Sequence, residues 1–157
     1  MDEIKYKYGG ARALVALHER SMRSCLVTWK QAKHAGIALP QTTDPAYNSL
    51  EALLRHLLNA SQGYITWICQ NLELPDPGIN PIPKIEHIER EVDAFLEHLL
   101  KQWRMPLCDI PEERFFDPVY TSRWEVDYCI EAMLEHAVMH PIRHEFQLQN
   151  LLEAQKS

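Results

Sequence analysis

The sequence predicts an all-α fold, a four-helix bundle, and three observations carry the prediction. Apolar residues recur at three- and four-residue steps through four long segments, no segment alternates convincingly between apolar and polar residues, and prolines and small polar residues punctuate the chain between the segments. With 157 residues the chain is the size of one ordinary domain, and it reads as one domain over 1–157, without internal repeats or low-complexity segments.

The first helix begins near Gly10, where Leu14, Val15, His18, Met22, Cys25, Leu26 and Trp29 form one stripe, and it ends near Ala35-Gly36. A long loop follows, "IALPQTTDPAYNSLEALL", in which Asn48 and Glu51 offer a capping box for a second helix running to about Gln70. Pro75, Pro77, Gly78, Pro81 and Pro83 break the chain before the third helix. There Ile85, Ile88, Val92, Phe95, Leu96 and Leu99 make an apolar face. A second long loop, with aromatic residues suited to covering one end of the bundle, closes at a capping box of Ser122 with Glu125. The fourth helix is then expected from Arg123 to Glu153, roughly 45 Å long, with a kink or widened turn at Pro141, which cannot donate to the carbonyl of Ala137.

Composition narrows the function. The 46% hydrophobic and 24% charged content is that of a soluble globular protein. A net charge of −6, from 22 acidic residues against 16 Lys and Arg, provides no general attraction to nucleic acid or to anionic membranes. The start lacks a secretory signal pattern and no stretch is long and apolar enough to span a bilayer. The four cysteines contain no CxxC pair, which fits thiols in a reducing compartment, and cytoplasm is the expected location.

Histidine is where the chemistry concentrates. On a helical wheel with His140 at zero, His136 and His144 fall at about −40° and +40°, so "EHAVMHPIRHEFQL" stacks three imidazoles in one row. Val126, Cys129, Ile130, Met133, Ala137, Leu148 and Leu151 share that arc, while Glu131, Glu135 and Glu145 fall opposite and read as solvated. In the second helix His56 shares a face with Leu53, Leu57, Ala60, Tyr64 and Trp67, and Ala60 and Gly63 leave room for a close helix approach or a cavity. An HxxxH pair joined by a histidine from a facing helix supplies three neutral nitrogen ligands and leaves one coordination position open. That set suits zinc or nickel, with iron or manganese also admitted, and it acidifies a water or thiol in the open position.

Packing and hydrogen bonding compete with this reading for each residue. His18 is better explained as a core histidine than as a ligand, and His34, His87 and His98 as surface residues. Cys129 reads as a buried, inert thiol near the histidine face, and Gln147 either orients a ligand or bonds across a helix interface. Tyr64, Trp67, Trp124 and Phe146 are candidates to line a pocket, and Arg55, Arg123 and Arg143 are candidate anion-binding groups. HExxH is absent, and no histidine has Glu three residues before it, so neither the zincin nor the di-iron ExxH arrangement applies.

The segments "LLRHLLNAS" and "HPIRHEFQ", in this helix order, resemble the DinB/YfiT-like family of metal-dependent four-helix bundles over nearly the whole chain. The resemblance implies His56, His140 and His144 as the three metal ligands, with His136 and Gln147 near the site. Glu145 and Phe146 stand where the family signature HxxxHRGQ has Arg-Gly, which puts the substrate type in question more than the fold. It further implies a small-molecule substrate, a thiol-dependent transfer or isomerisation using a low-molecular-weight thiol or a hydrolysis, and a homodimer. Two alternatives stay open: a non-catalytic stress-response or interaction protein whose metal only staples helices two and four, and a metal-free wet core.

Overall fold

The computed structural model describes residues 3–157. Four long helices account for most of it: α1 (Gly9–His34), α2 (Leu50–Asn71), α3 (Ile88–Arg104) and α4 (Ile130–Gln155). Short 3-10 turns occupy the connections at Pro45–Tyr47 and Glu112–Phe115. A two-stranded antiparallel sheet, β1 (Tyr120–Thr121) with β2 (Asp127–Tyr128), adds a strand element to the expected all-helical chain. The α2–α3 connection is also long, from residue 72 to 87, besides the two long loops expected.

The helix ends follow from local chemistry. Gly36 takes φ +66°, which lets Ile37 N–H reach the Ala32 carbonyl and Gly36 N–H the Lys33 carbonyl, so the last turn of α1 is closed by a Schellman motif. Ser49, rather than Asn48, caps α2: its Oγ accepts from Ala52 N–H at 3.0 Å, while Asn48 finishes the preceding 3-10 turn and Glu51 pairs with Lys33. At the other end of α2 the same Schellman bonds form around Glu73, a non-glycine residue at φ +56°.

Helix α4 begins seven residues later than expected. The Ser122–Glu125 box does not form, because Ser122 Oγ accepts from Val126 N–H and Glu125 lies at φ +64°, turning the chain back into a hairpin. Cys129 is the N-cap of α4, its Sγ accepting from Ala132 N–H, so neither Cys129 nor the exposed Val126 lies on the helical face assigned to them. From Ile130 to Gln155 the chain forms one α-helix with Pro141 inside it, so the turn there is not widened, although Pro141 has no N–H to offer the Ala137 carbonyl.

One contiguous cluster of buried apolar side chains runs between the four helices, with Trp29, Leu53, Leu58, Ile65, Ile68, Leu99, Trp103 and Ile130 among its most enclosed members. Each large side chain so buried contributes on the order of 1.5–3 kcal/mol. Helix α4 packs against α1 more extensively than against α2, and this two-sided burial corrects the wheel. Glu145 is half-buried rather than on an open face, and it accepts from Ser24 Oγ (2.8 Å) and Thr28 Oγ1 (2.7 Å) of α1. Glu131 accepts from Tyr8 Oη at 3.1 Å. Only Glu135 of the three is exposed.

Candidate metal site and its cleft

His56 enters from the second turn of α2, and His140 and His144 from successive turns of α4, so the row at four-residue spacing meets a histidine from the facing helix. The Nε2 atoms of His56 and His140 lie 3.0 Å apart, and those of His140 and His144 lie 3.3 Å apart. One ligand atom from each of the three residues falls within 4.8 Å of the others. Among the described residues no fourth histidine, cysteine or carboxylate joins the group.

These distances fit one small cation. Nitrogens bound tetrahedrally at about 2.0–2.1 Å from a metal stand about 3.3 Å apart. Protonation states agree with the distances. Burial, reinforced by the neighbouring imidazoles and Arg143, pushes His140 down to about 3. Burial also lowers His56 and His144, against opposing contributions from Asp44 and, for His144, chiefly from its bond to Gln147. All three rings are therefore neutral at neutral pH, with lone pairs free for a cation. Each close Nε2 pair is a hydrogen bond when one of its two rings carries a proton on Nε2, and an offer of two lone pairs to a cation when neither does.

Gln147 fixes one of the rings. Its Oε1 stands 2.9 Å from His144 Nδ1, and because an amide oxygen only accepts, His144 must donate from Nδ1 and present Nε2 as a lone pair. Tyr47, in the 3-10 turn before α2, donates to the same oxygen at 3.3 Å and sets its ring 6.0 Å from that of His144. Sequence reasoning found Gln147 but missed Tyr47, since nothing in a loop sequence marks which side chain will fold over a helix distant in the chain.

His136 does not join the three nitrogens. It sits in an aromatic box with Tyr64, Trp124 and Tyr128, at ring separations of 5.3, 5.3 and 5.8 Å. Burial and Arg143 lower its pKa too. His18 is a core residue: it exchanges a 3.0 Å hydrogen bond with Ser61, stacks 3.8 Å from the ring of Trp103, and burial pushes it down to about 3. His34 and His87 are exposed, and His98 accepts from Asn80 N–H.

A cleft of about 380 Å³ opens beside the histidines, with His56 and His140 in its wall and Ala60, Gly63 and Met133 lining it. Of the aromatic candidates Tyr64, Trp67 and Trp124 line it, whereas Phe146 is exposed on the far side of α4. Burial raises the Tyr64 phenol to about 12, so it stays protonated as a potential donor. The hairpin delivers Arg123 and Trp124 to the cleft mouth, held by Trp67 Nε1 donating to the Thr121 carbonyl at 3.1 Å. Arg55 is used elsewhere, donating to the Pro83 carbonyl, and Arg143 is exposed near the histidines.

The two departures from the family signature also have places. Glu145 ties α4 to α1 and Phe146 faces outward, so neither side chain lines the cleft. No helix among the described residues is long and apolar enough to cross a membrane. Comparison with protein-family models, curated proteins and solved structures found no match to this chain.

Proposed function

We propose that the chain is a small metalloenzyme with the four-helix-bundle architecture of the DinB/YfiT-like proteins, in which His56, His140 and His144 hold one divalent cation, zinc or nickel before iron or manganese. The observation that carries the reading is the convergence of three neutral Nε2 atoms, those of His56 and His140 from residues in the wall of a solvent-open cleft and that of the buried His144 behind them, with no fourth protein ligand among the described residues. Closed four-ligand shells are the mark of structural zinc sites, and three-ligand sites that of catalytic ones.

A divalent cation held there supplies Lewis acidity, lowering the pKa of a thiol or a water in the position left open toward the cleft. The chain's own residues do the rest. Gln147 holds His144 in the tautomer that points Nε2 inward, Tyr64 keeps a phenolic proton at the cleft, and Trp67, Trp124 and Met133 exclude water from the substrate's apolar part. The reaction class is transfer to or from a low-molecular-weight thiol, or hydrolysis, acting on a small molecule in a cytoplasmic homodimer.

One observation favours a second reading. The three histidines bridge two helices, α2 and α4, so a cation there also staples the fold, and structural zinc contributes on the order of 10 kcal/mol in small metal domains. Comparing purified protein with a His140→Ala, His144→Ala double variant separates the two. Turnover of thiol-plus-electrophile or of ester and amide substrates that vanishes in the variant, with a melting temperature little changed, supports the enzyme. A large drop in melting temperature, with no turnover by the metal-loaded protein, supports the staple and removes the enzyme.

A further inference from the structure

Arg123 lies across Gly63 of α2. A methyl group at residue 63 would collide with its guanidinium, so glycine at this position makes the notch in which the cation rests. Arg123 also lines a second hollow of about 390 Å³ that continues the first along α2, the two sharing Asn59, Gly63, Trp67 and Arg123. The joined cleft runs from the histidine cluster to Gln70.

Its charge is unlike that of the rest of the molecule. The chain carries a net charge of −6, yet no aspartate or glutamate lines either hollow. Arg23, Lys30, Lys33 and Arg104 are each paired with a carboxylate across helices, whereas among the described residues Arg123 has no carboxylate partner. The side chains of Asn59, Gln62 and Gln70 line the same hollow without hydrogen-bond partners among the described residues. Trp124, still 45% exposed, lines the first hollow together with Arg123.

We propose that this cleft binds a small organic monoanion, its carboxylate held in the fork of Arg123 over the Gly63 notch and its planar apolar part laid against Trp124 and Tyr64 toward the histidines. A guanidinium presents two parallel N–H groups that match a carboxylate, and it is the donor fork suited to that group. Arg123 is the one Lys or Arg side chain among the described residues that line the two hollows, and its single fork matches a single carboxylate. As an account of substrate, the proposal rests on the metalloenzyme reading; as a binding site it stands on the cleft alone.

Titration of the full chain as purified with phenylacetate and, separately, with its uncharged amide phenylacetamide tests this, followed by NMR of the four Trp indole resonances. The acid is expected to bind about tenfold or more tighter than the amide and to shift Trp124. Arg123→Gln is expected to abolish that preference while leaving amide binding and metal content unchanged, and Gly63→Ala to weaken acid binding by displacing the guanidinium. Equal affinities in the wild type, or a preference that survives Arg123→Gln, overturns the proposal; the latter would place the carboxylate on the metal instead. Metal analysis of the same samples keeps the two readings apart: a chain without metal that still prefers the acid through Arg123 retains the anion site and loses the metal centre.

Discussion

At the scale of single residues the site depends on how each imidazole is held and charged. Gln147 is the clearest case, because its oxygen leaves His144 only one tautomer. Replacing it with leucine, which offers no acceptor, is expected to weaken metal affinity about 10- to 100-fold in a chelator-competition titration, whereas Gln147→Glu retains the acceptor and most of the affinity. Unchanged affinity in the leucine variant would remove Gln147 from the site. His18 tests the buried, neutral state of a core histidine. With its folded pKa pushed down to about 3 by burial, it binds no proton between about pH 6.5 and 3 while the unfolded chain does. Stability is therefore full above about pH 6.5 and is lost as pH falls toward 3, by about 1.4 kcal/mol per pH unit once well below 6.5. Denaturant titrations at several pH values should show this slope, and His18→Gln should reduce it by that amount; an unaltered slope would contradict the assignment.

These residues also show what a sequence can and cannot disclose. Residues His140 and His144 were legible because a four-residue step on a helix fixes direction without any knowledge of the fold. His56 was legible as the inward histidine of the second helix and a candidate partner for the row, and the resemblance then named it as the third ligand. His136 looked equivalent to its neighbours on the wheel, yet it stands one turn too early to reach the common point and is taken up by Tyr64, Trp124 and Tyr128 instead. Glu145 misled for the opposite reason: a wheel divides a helix into one buried and one wet side, whereas α4 is packed on two.

At the scale of elements, helix bodies followed periodicity and helix starts did not. Both Asn48 and Ser49 are good caps by type, whereas Ser122 with Glu125 reads as a helix start and Cys129, not a preferred cap, does not. The choice at Ser122 fell to tertiary contacts: Trp67 grips the Thr121 carbonyl and the hairpin closes, so α4 starts at Ile130 and Arg123 is left at the cleft mouth. The end of α2 offers a test of local strain. Glu73 occupies the left-handed position that glycine takes at the end of α1. Glu73→Gly is expected to stabilise the protein by about 0.5–1 kcal/mol, read as a higher denaturation midpoint. A lower midpoint would mean that the Glu73 side chain contributes more than its backbone costs.

At the scale of the whole molecule, two helices that are far apart in sequence must be held at a spacing that brings three nitrogens together. The shared core does this, with α4 seated on α1 through Glu145 and on α2 through the cleft. Cross-helix ion pairs such as Arg23–Glu97 and Lys30–Asp93 lie at the surface, where solvent screens them, so the apolar core rather than these pairs holds the helices together. The long connections, often the least informative part of a helical sequence, bring Tyr47 to one side of the histidines and Arg123 with Trp124 to the other. The central claim is that His56, His140 and His144 share one cation. Metal analysis of the purified chain beside a His56→Ala, His140→Ala variant, each refolded or loaded under the same conditions, measures it directly. About one equivalent of divalent metal per chain, lost in the variant, is the expected result; equal metal in both, or none in the wild type after loading with zinc and with nickel, would contradict it.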